Sequence, residues 1–123
     1  MIRLVSDQPQ ALARLEVAFR ACPDDFDTLK QEVAAGRVSL YELHGERYRV
    51  TLAGEIVGHS YFLWGVSGHG VVPAMRELKR YVKAAGLSSI SADTYFPTVA
   101  RLCRRLHTDE QTRGSVTRME MKV

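Results

Sequence analysis

The chain has 123 residues, enough for one domain and too few for two. Its 46% hydrophobic and 25% charged residues exclude collagen-like, disordered and disulfide-dense chains. The formal charge is +3 with a pI near 9.1, which suits an anionic ligand but does not by itself make a nucleic-acid binder.

No apolar run reaches the ~20 residues that cross a bilayer. The opening stretch Met1 to Asp7 is too short and polar for a signal peptide, so a cytoplasmic protein is expected. Met1 to Val5 reads as a short strand. Ser6-Asp7-Gln8 supplies cap residues and Pro9 a first helical turn. Leu12, Leu15, Phe19 and Cys22 recur at helical spacing up to Pro23. Asp24-Asp25 then caps a second helix with Phe26, Leu29 and Val33 on one face and Gly36 as its stop. Next come strands over Val38 to Leu43, Arg47 to Leu52 and Ile56 to Trp64, with turns at His44-Gly45-Glu46 and Ala53-Gly54-Glu55. The third is almost continuously apolar, as a strand covered on both faces would be. Connections this short make the three an antiparallel meander.

The stretch Gly65 to Gly70 reads as a glycine-rich loop before a helix striped by Val72, Met75, Leu78, Val82 and Ala85. Gly86 ends that helix, and Leu87 to Tyr95 is a further strand. Pro97 opens a last helix with Val99, Leu102, Cys103 and Leu106 inward. Thr108 to Gly114 is a polar loop, and Ser115 to Val123 a final strand alternating Met119, Met121 and Val123 with Arg118, Glu120 and Lys122. The order βααβββαβαβ makes one mixed α/β domain over residues 1–123: a central sheet of about six strands flanked by helices, with a right-handed βαβ unit at its centre.

This order resembles that of the GNAT (Gcn5-related N-acetyltransferase) fold over nearly the whole chain. Local echoes are Gly54-Glu55-Ile56-Val57-Gly58, Gly68-His69-Gly70 before the long helix, and Val99 to Leu106. Short, divergent GNAT-like domains are common in phages and prophages, and this chain is similar to them. The resemblance implies a small acyl-CoA-dependent N-acetyltransferase using acetyl-CoA, with an amine acceptor left open. Ser67, Gly68, His69, Gly70 and Val71 would cradle the cofactor pyrophosphate, because glycines let the backbone approach and a helix N-terminus attracts anions. Gly65 stands where the family carries Arg or Gln, and Cys103 where it carries the tyrosine that protonates the leaving thiolate.

Among general-base candidates on the central strands (Glu55, His59, Tyr61, Asp93), His59 has the ordinary pKa closest to neutrality. The simpler alternatives are a structural His59 and a small core residue at Cys103. The two cysteines, Cys22 and Cys103, show neither zinc-ligand spacing nor a disulfide framework and read as buried thiols. The four histidines show no ligand spacing either, so no metal is expected. Lys79, Arg80, Lys83, Arg101, Arg104 and Arg105 read as two solvated faces without the interleaved aromatics of a nucleic-acid platform. The competing function is a catalytically inactive GNAT-fold module that binds a protein partner. A homodimer joined through the methionine-bearing C-terminal strand is a further expectation.

Overall fold

A computed structural model describes residues 1–123 as seven strands in one sheet with four α-helices. In chain order they are β1 (Ile2–Leu4), α1 (Pro9–Leu15), α2 (Pro23–Ala34), β2 (Ser39–Gly45), β3 (Tyr48–Val57), β4 (Ser60–His69), α3 (Val71–Ala84), β5 (Ser89–Thr94), α4 (Pro97–Cys103), β6 (Asp109–Arg113) and β7 (Val116–Lys122). Single 3₁₀ turns, Glu16–Phe19 and Arg104–Leu106, follow α1 and α4.

The sheet order is β1-β2-β3-β4-β5-β7-β6, with β4 and β5 parallel across α3 and every other pair antiparallel. α1 and α2 cover one face over β1 to β4, burying Leu15, Phe19, Leu29, Val38, Leu40 and Ala53. α3 and α4 cover the other, where Met75, Leu78 and Val82 meet Leu52, Leu63 and Met121 and Cys103 meets Met119. The stripe read in the sequence is thus the buried face of α3, except for Ala85, which caps the helix and is exposed.

The boundaries differ from expectation in instructive places. The turn expected at Ala53 to Glu55 lies instead at Gly58-His59, and β3 runs on to Val57. β4 is shifted likewise, starting at Ser60 and continuing through the expected glycine-rich loop to His69. Glycines that suggested a loop serve tight packing. A Cβ on Gly54 would lie 2.4 Å from the Tyr61 ring, and one on Gly65 2.8 Å from that of Phe19. Ser6 does not cap α1; its Oγ accepts from the Leu40 N–H at 2.9 Å, and Gln8 takes the cap position. Pro23 opens α2 rather than closing the previous helix.

The expected polar loop is the hairpin strand β6, turned back by Gly114 at φ 61°. Its sequence, DEQTR, has no apolar alternation to reveal it, and its charges suit an edge strand. This placement removes β7 as the edge through which a dimer was expected to form: it lies between β5 and β6, and Met119 and Met121 are buried in the core.

Tyr61, buried beneath α3, has a hydroxyl with no hydrogen-bond partner, and burial pushes its phenol up. An unsatisfied buried donor costs about 1–3 kcal/mol. Tyr61→Phe is therefore expected to stabilise the protein by about 1 kcal/mol in urea denaturation, and a loss of similar size would show that the hydroxyl has a partner.

Candidate functional site: an opening between two parallel strands

Two register facts create the site. Ala53 pairs with Gly65 but Gly54 with Leu63, so Trp64 is an extra residue on β4, a β-bulge. The parallel pairing of β4 with β5 ends at Leu63↔Ala92, although β4 continues to His69. Past that point the two strands part, and the β5-facing backbone groups of β4 have no strand to bond.

The gap has a cleft on each face of the sheet. On the α3–α4 face it is a cleft of about 230 Å³ whose lining includes Val66, Met75, Ala92, Val99, Leu102 and Cys103. On the α1–α2 face it is a cleft of about 350 Å³ whose lining includes Phe19, Asp25, Phe62, Tyr95 and Phe96. Ala18, Leu63, Trp64, Asp93, Thr94 and Phe96 line both, so the two clefts adjoin where the strands part.

Several polar contacts hold these walls. The Trp64 indole N–H donates to Glu55 Oε1 at 3.1 Å. Thr94 Oγ1 accepts from the Phe96 N–H at 3.1 Å, fixing the chain as it leaves β5 for α4. Arg118 grips Asp93 with two hydrogen bonds, 2.7 and 3.0 Å. Across the gap, the Arg20 guanidinium stacks 4.4 Å from the Phe96 ring centroid.

Of the residues singled out in the sequence, Cys103 and Val71 line the α3–α4 cleft. Cys103 is buried against Ala100 and Met119, and burial, with a smaller contribution from the charge of Glu110, pushes its thiol up. His59 is not on a strand: it lies exposed in the β3–β4 turn, and its carbonyl accepts from the Ser88 N–H at 2.7 Å. It lines neither cleft.

Ser67, Gly68 and His69 belong to β4, paired with Thr51, Val50 and Arg49. Register puts Ser67 and His69 on the same face as Thr51, which Arg14 of α1 reaches, so they face away from α3. Gly68 and Gly70 serve close approach to β3: an added Cβ would lie 2.1 Å from the Arg49 carbonyl oxygen and 2.3 Å from that of Arg47. Gly70, at φ 72°, is the N-cap of α3. The first turn of α3 still presents N–H groups of Val71 and Val72, while Pro73 has none to offer.

Sequence reading missed the bulge and, with it, Trp64, Ala92 and Phe96 as walls. The signal for Phe96 was Pro97, whose fixed φ marks the start of α4 and so the corner beside the gap. The basic cluster is partly neutralised: Arg104 pairs with Glu110 and Arg80 with Glu77. Arg101 on α4 and Arg105 on the 3₁₀ turn after it remain exposed. No group of residues forms a metal-binding cluster, and no helix is long and apolar enough to cross a membrane.

No protein-family model matches the sequence, and neither does any curated protein. Solved structures do match. An IAA acetyltransferase from Bacillus cereus is 11% identical with a TM-score of 0.65, covering 100% of this chain and 99% of that one. An acetyltransferase from Bacillus subtilis in complex with CoA is 10% identical with a TM-score of 0.66, over 99% and 97%. The PaiA N-acetyltransferase from Thermoplasma acidophilum, in complex with coenzyme A, is 9% identical with a TM-score of 0.63, over 100% and 99%.

Proposed function

From the GNAT acetyltransferase fold of this chain, we propose that it is an acyl-CoA-dependent N-acyltransferase whose two substrates meet through the gap between β4 and β5. One observation carries the reading: beyond Leu63↔Ala92, β4 offers unpaired backbone donors and acceptors along an apolar slot. An extended pantetheine arm, with its amides spaced along an apolar chain, suits such an edge as a further strand would. CoA complexes among the fold's neighbours support the choice of cofactor. The first-turn amides of α3 and the exposed guanidiniums of Arg101 and Arg105 supply positive potential for its phosphates.

The chemistry asks little of the protein. The amine nitrogen attacks the thioester carbonyl from the α1–α2 side, the C–N bond forms and the C–S bond breaks. An acceptor that arrives as an ammonium first gives one proton to solvent; the second, lost as the nitrogen attacks, is the one the CoA sulfur gains, so the reaction balances without a protein acid. A backbone N–H of β4 beside the bulge would stabilise the thioester oxygen as charge builds on it. Cys103, its thiol pushed up by burial, keeps its proton and serves chiefly as a wall of the slot.

Calorimetric titration with acetyl-CoA and CoA tests this. Micromolar binding is expected, and Leu102→Glu should weaken it by about tenfold or more with an unchanged melting temperature. Leu102 is 40% exposed at the lip of the cleft, so the added charge opposes the phosphates without entering the core. No heat and no thermal shift at millimolar CoA would overturn the reading. That result would favour a GNAT-fold module that binds a protein partner without catalysis, a reading favoured by Pro73, which removes one of the first-turn amides of α3.

A further inference from the structure

The cleft on the α1–α2 face has an aromatic wall and few charges. Resting on the acyltransferase reading above, we infer that the acceptor is a primary monoamine on a compact aromatic or apolar body, its ammonium against Asp25 and its body against the aromatic wall.

The wall is formed by Phe19, Phe62, Trp64, Tyr95 and Phe96 around about 350 Å³. The rings are held in place: Phe19 packs 5.6 Å from Phe26, and the Trp64 N–H is already bonded to Glu55. The Phe96 and Phe62 rings already carry the Arg20 and Arg118 guanidiniums, 4.4 and 5.4 Å from their centroids, so Phe19, Trp64 and Tyr95 are the rings left for an apolar body. The charges lining this cleft are few: no lysine, arginine or histidine, and two carboxylates, Asp25 and Asp93. Asp93 is taken by Arg118 in a bidentate pair. Asp25 has no cation within salt-bridge distance. Its near neighbour Cys22 adds no charge, since burial, then the hydrogen bond to Asp25 and its charge, push the thiol up to about 11.

One free carboxylate matches one ammonium. A polyamine would set further positive charges against aromatic rings with no second anion, and a peptide would bury backbone amides against an apolar wall, leaving them unpaired. A monoamine with an aryl or branched alkyl body avoids both costs.

Trp64 is the single tryptophan of the chain, so its fluorescence reports this cleft with or without cofactor. Phenethylamine, 2-phenylethanol, spermidine and alanylalanine amide would each be titrated in the absence of acetyl-CoA. Phenethylamine should bind about tenfold or more tightly than the other three, and Asp25→Asn should weaken it by about tenfold with an unchanged melting temperature. Turnover with acetyl-CoA, followed as released thiol, should rank the three amines in the same order.

Preference for spermidine or the dipeptide, equal binding of 2-phenylethanol, or wild-type binding by Asp25→Asn would each overturn the inference. The outcomes separate it from its premise. Acetyl-CoA binding without a phenethylamine preference removes only the acceptor class. Phenethylamine binding in the expected order without acetyl-CoA binding removes only the acyltransferase reading.

Discussion

Replacing Gly68 by alanine is expected to destabilise the protein by at least about 3 kcal/mol and to lower its melting temperature by roughly 10 °C. At this site backbone geometry and packing both require glycine. Its φ of 125° lies where L-residues are strained, and an added Cβ would sit 2.1 Å from the Arg49 carbonyl oxygen and 2.9 Å from the Val50 Cα. Those are backbone atoms of a paired strand, so relief requires moving β3 against β4, a pair at the centre of the sheet. Out of a total stability of order 5–15 kcal/mol, this is a large share.

Urea denaturation and a thermal melt check the expectation, and they also bear on what the glycine is for. A glycine kept only for approach to a pyrophosphate would, when changed to alanine, lose CoA affinity at unchanged stability. Loss of stability whether or not CoA is present is the signature of clearance between strands. For the same reason Gly70, whose added Cβ would lie 2.3 Å from the Arg47 carbonyl oxygen at φ 72°, is a poor probe of cofactor binding. Leu102, on the surface, is a clean one.

Glu42→Gln is expected to cost about 2–3 kcal/mol. Glu42 is 2% exposed on β2, and three guanidiniums from three elements converge on it. Arg3 of β1 lies at 3.2 Å, Arg14 of α1 at 3.3 Å and Arg49 of β3 at 3.5 Å. The buried carboxylate thereby ties the edge strand and the first helix to the sheet. An amide keeps the volume but loses the charge, leaving the cations to repel one another. Breaking a fully buried pair costs about 3–5 kcal/mol. The estimate is lower here because the arginine side chains are between 45% and 65% exposed, and water takes up part of the loss. Chemical denaturation of Glu42→Gln against wild type measures the difference. A change below 0.5 kcal/mol, the ordinary range of surface substitutions, would show that the cluster is no anchor.

The expectation for Glu42 comes from the structure alone. In the sequence it is one polar residue in a strand read as Val38 to Leu43, and nothing local tells a buried carboxylate from an exposed one. Its partners Arg3, Arg14 and Arg49 are scattered along the chain, and only the register Arg3↔Glu42↔Thr51 gathers them. The same limit hid the opening between β4 and β5. Ile56 to Trp64 read as one buried strand because its apolar run is continuous. Where β4 truly begins and ends depends on its pairing with β3 and on the extra residue at Trp64, which is a property of two strands together.

Local patterns were sufficient wherever a single element carries the information. The order of elements up to α4, most of the α3 stripe and the crossover between β4 and β5 follow from periodicity, Pro and Gly punctuation and connection length, because those act over a few neighbouring residues; β6, with no apolar alternation, does not. Placement across the sheet does not. Tertiary structure alone decided that Gly68 and Gly70 clear a path for β3, that His59 sits in a turn, and that Met119 and Met121 are core rather than a dimer edge. It also decided that Phe96, Trp64 and Asp25 meet at one cleft. Each of these is a relation between residues distant in sequence, set by which strands pair and where their hydrogen bonding stops.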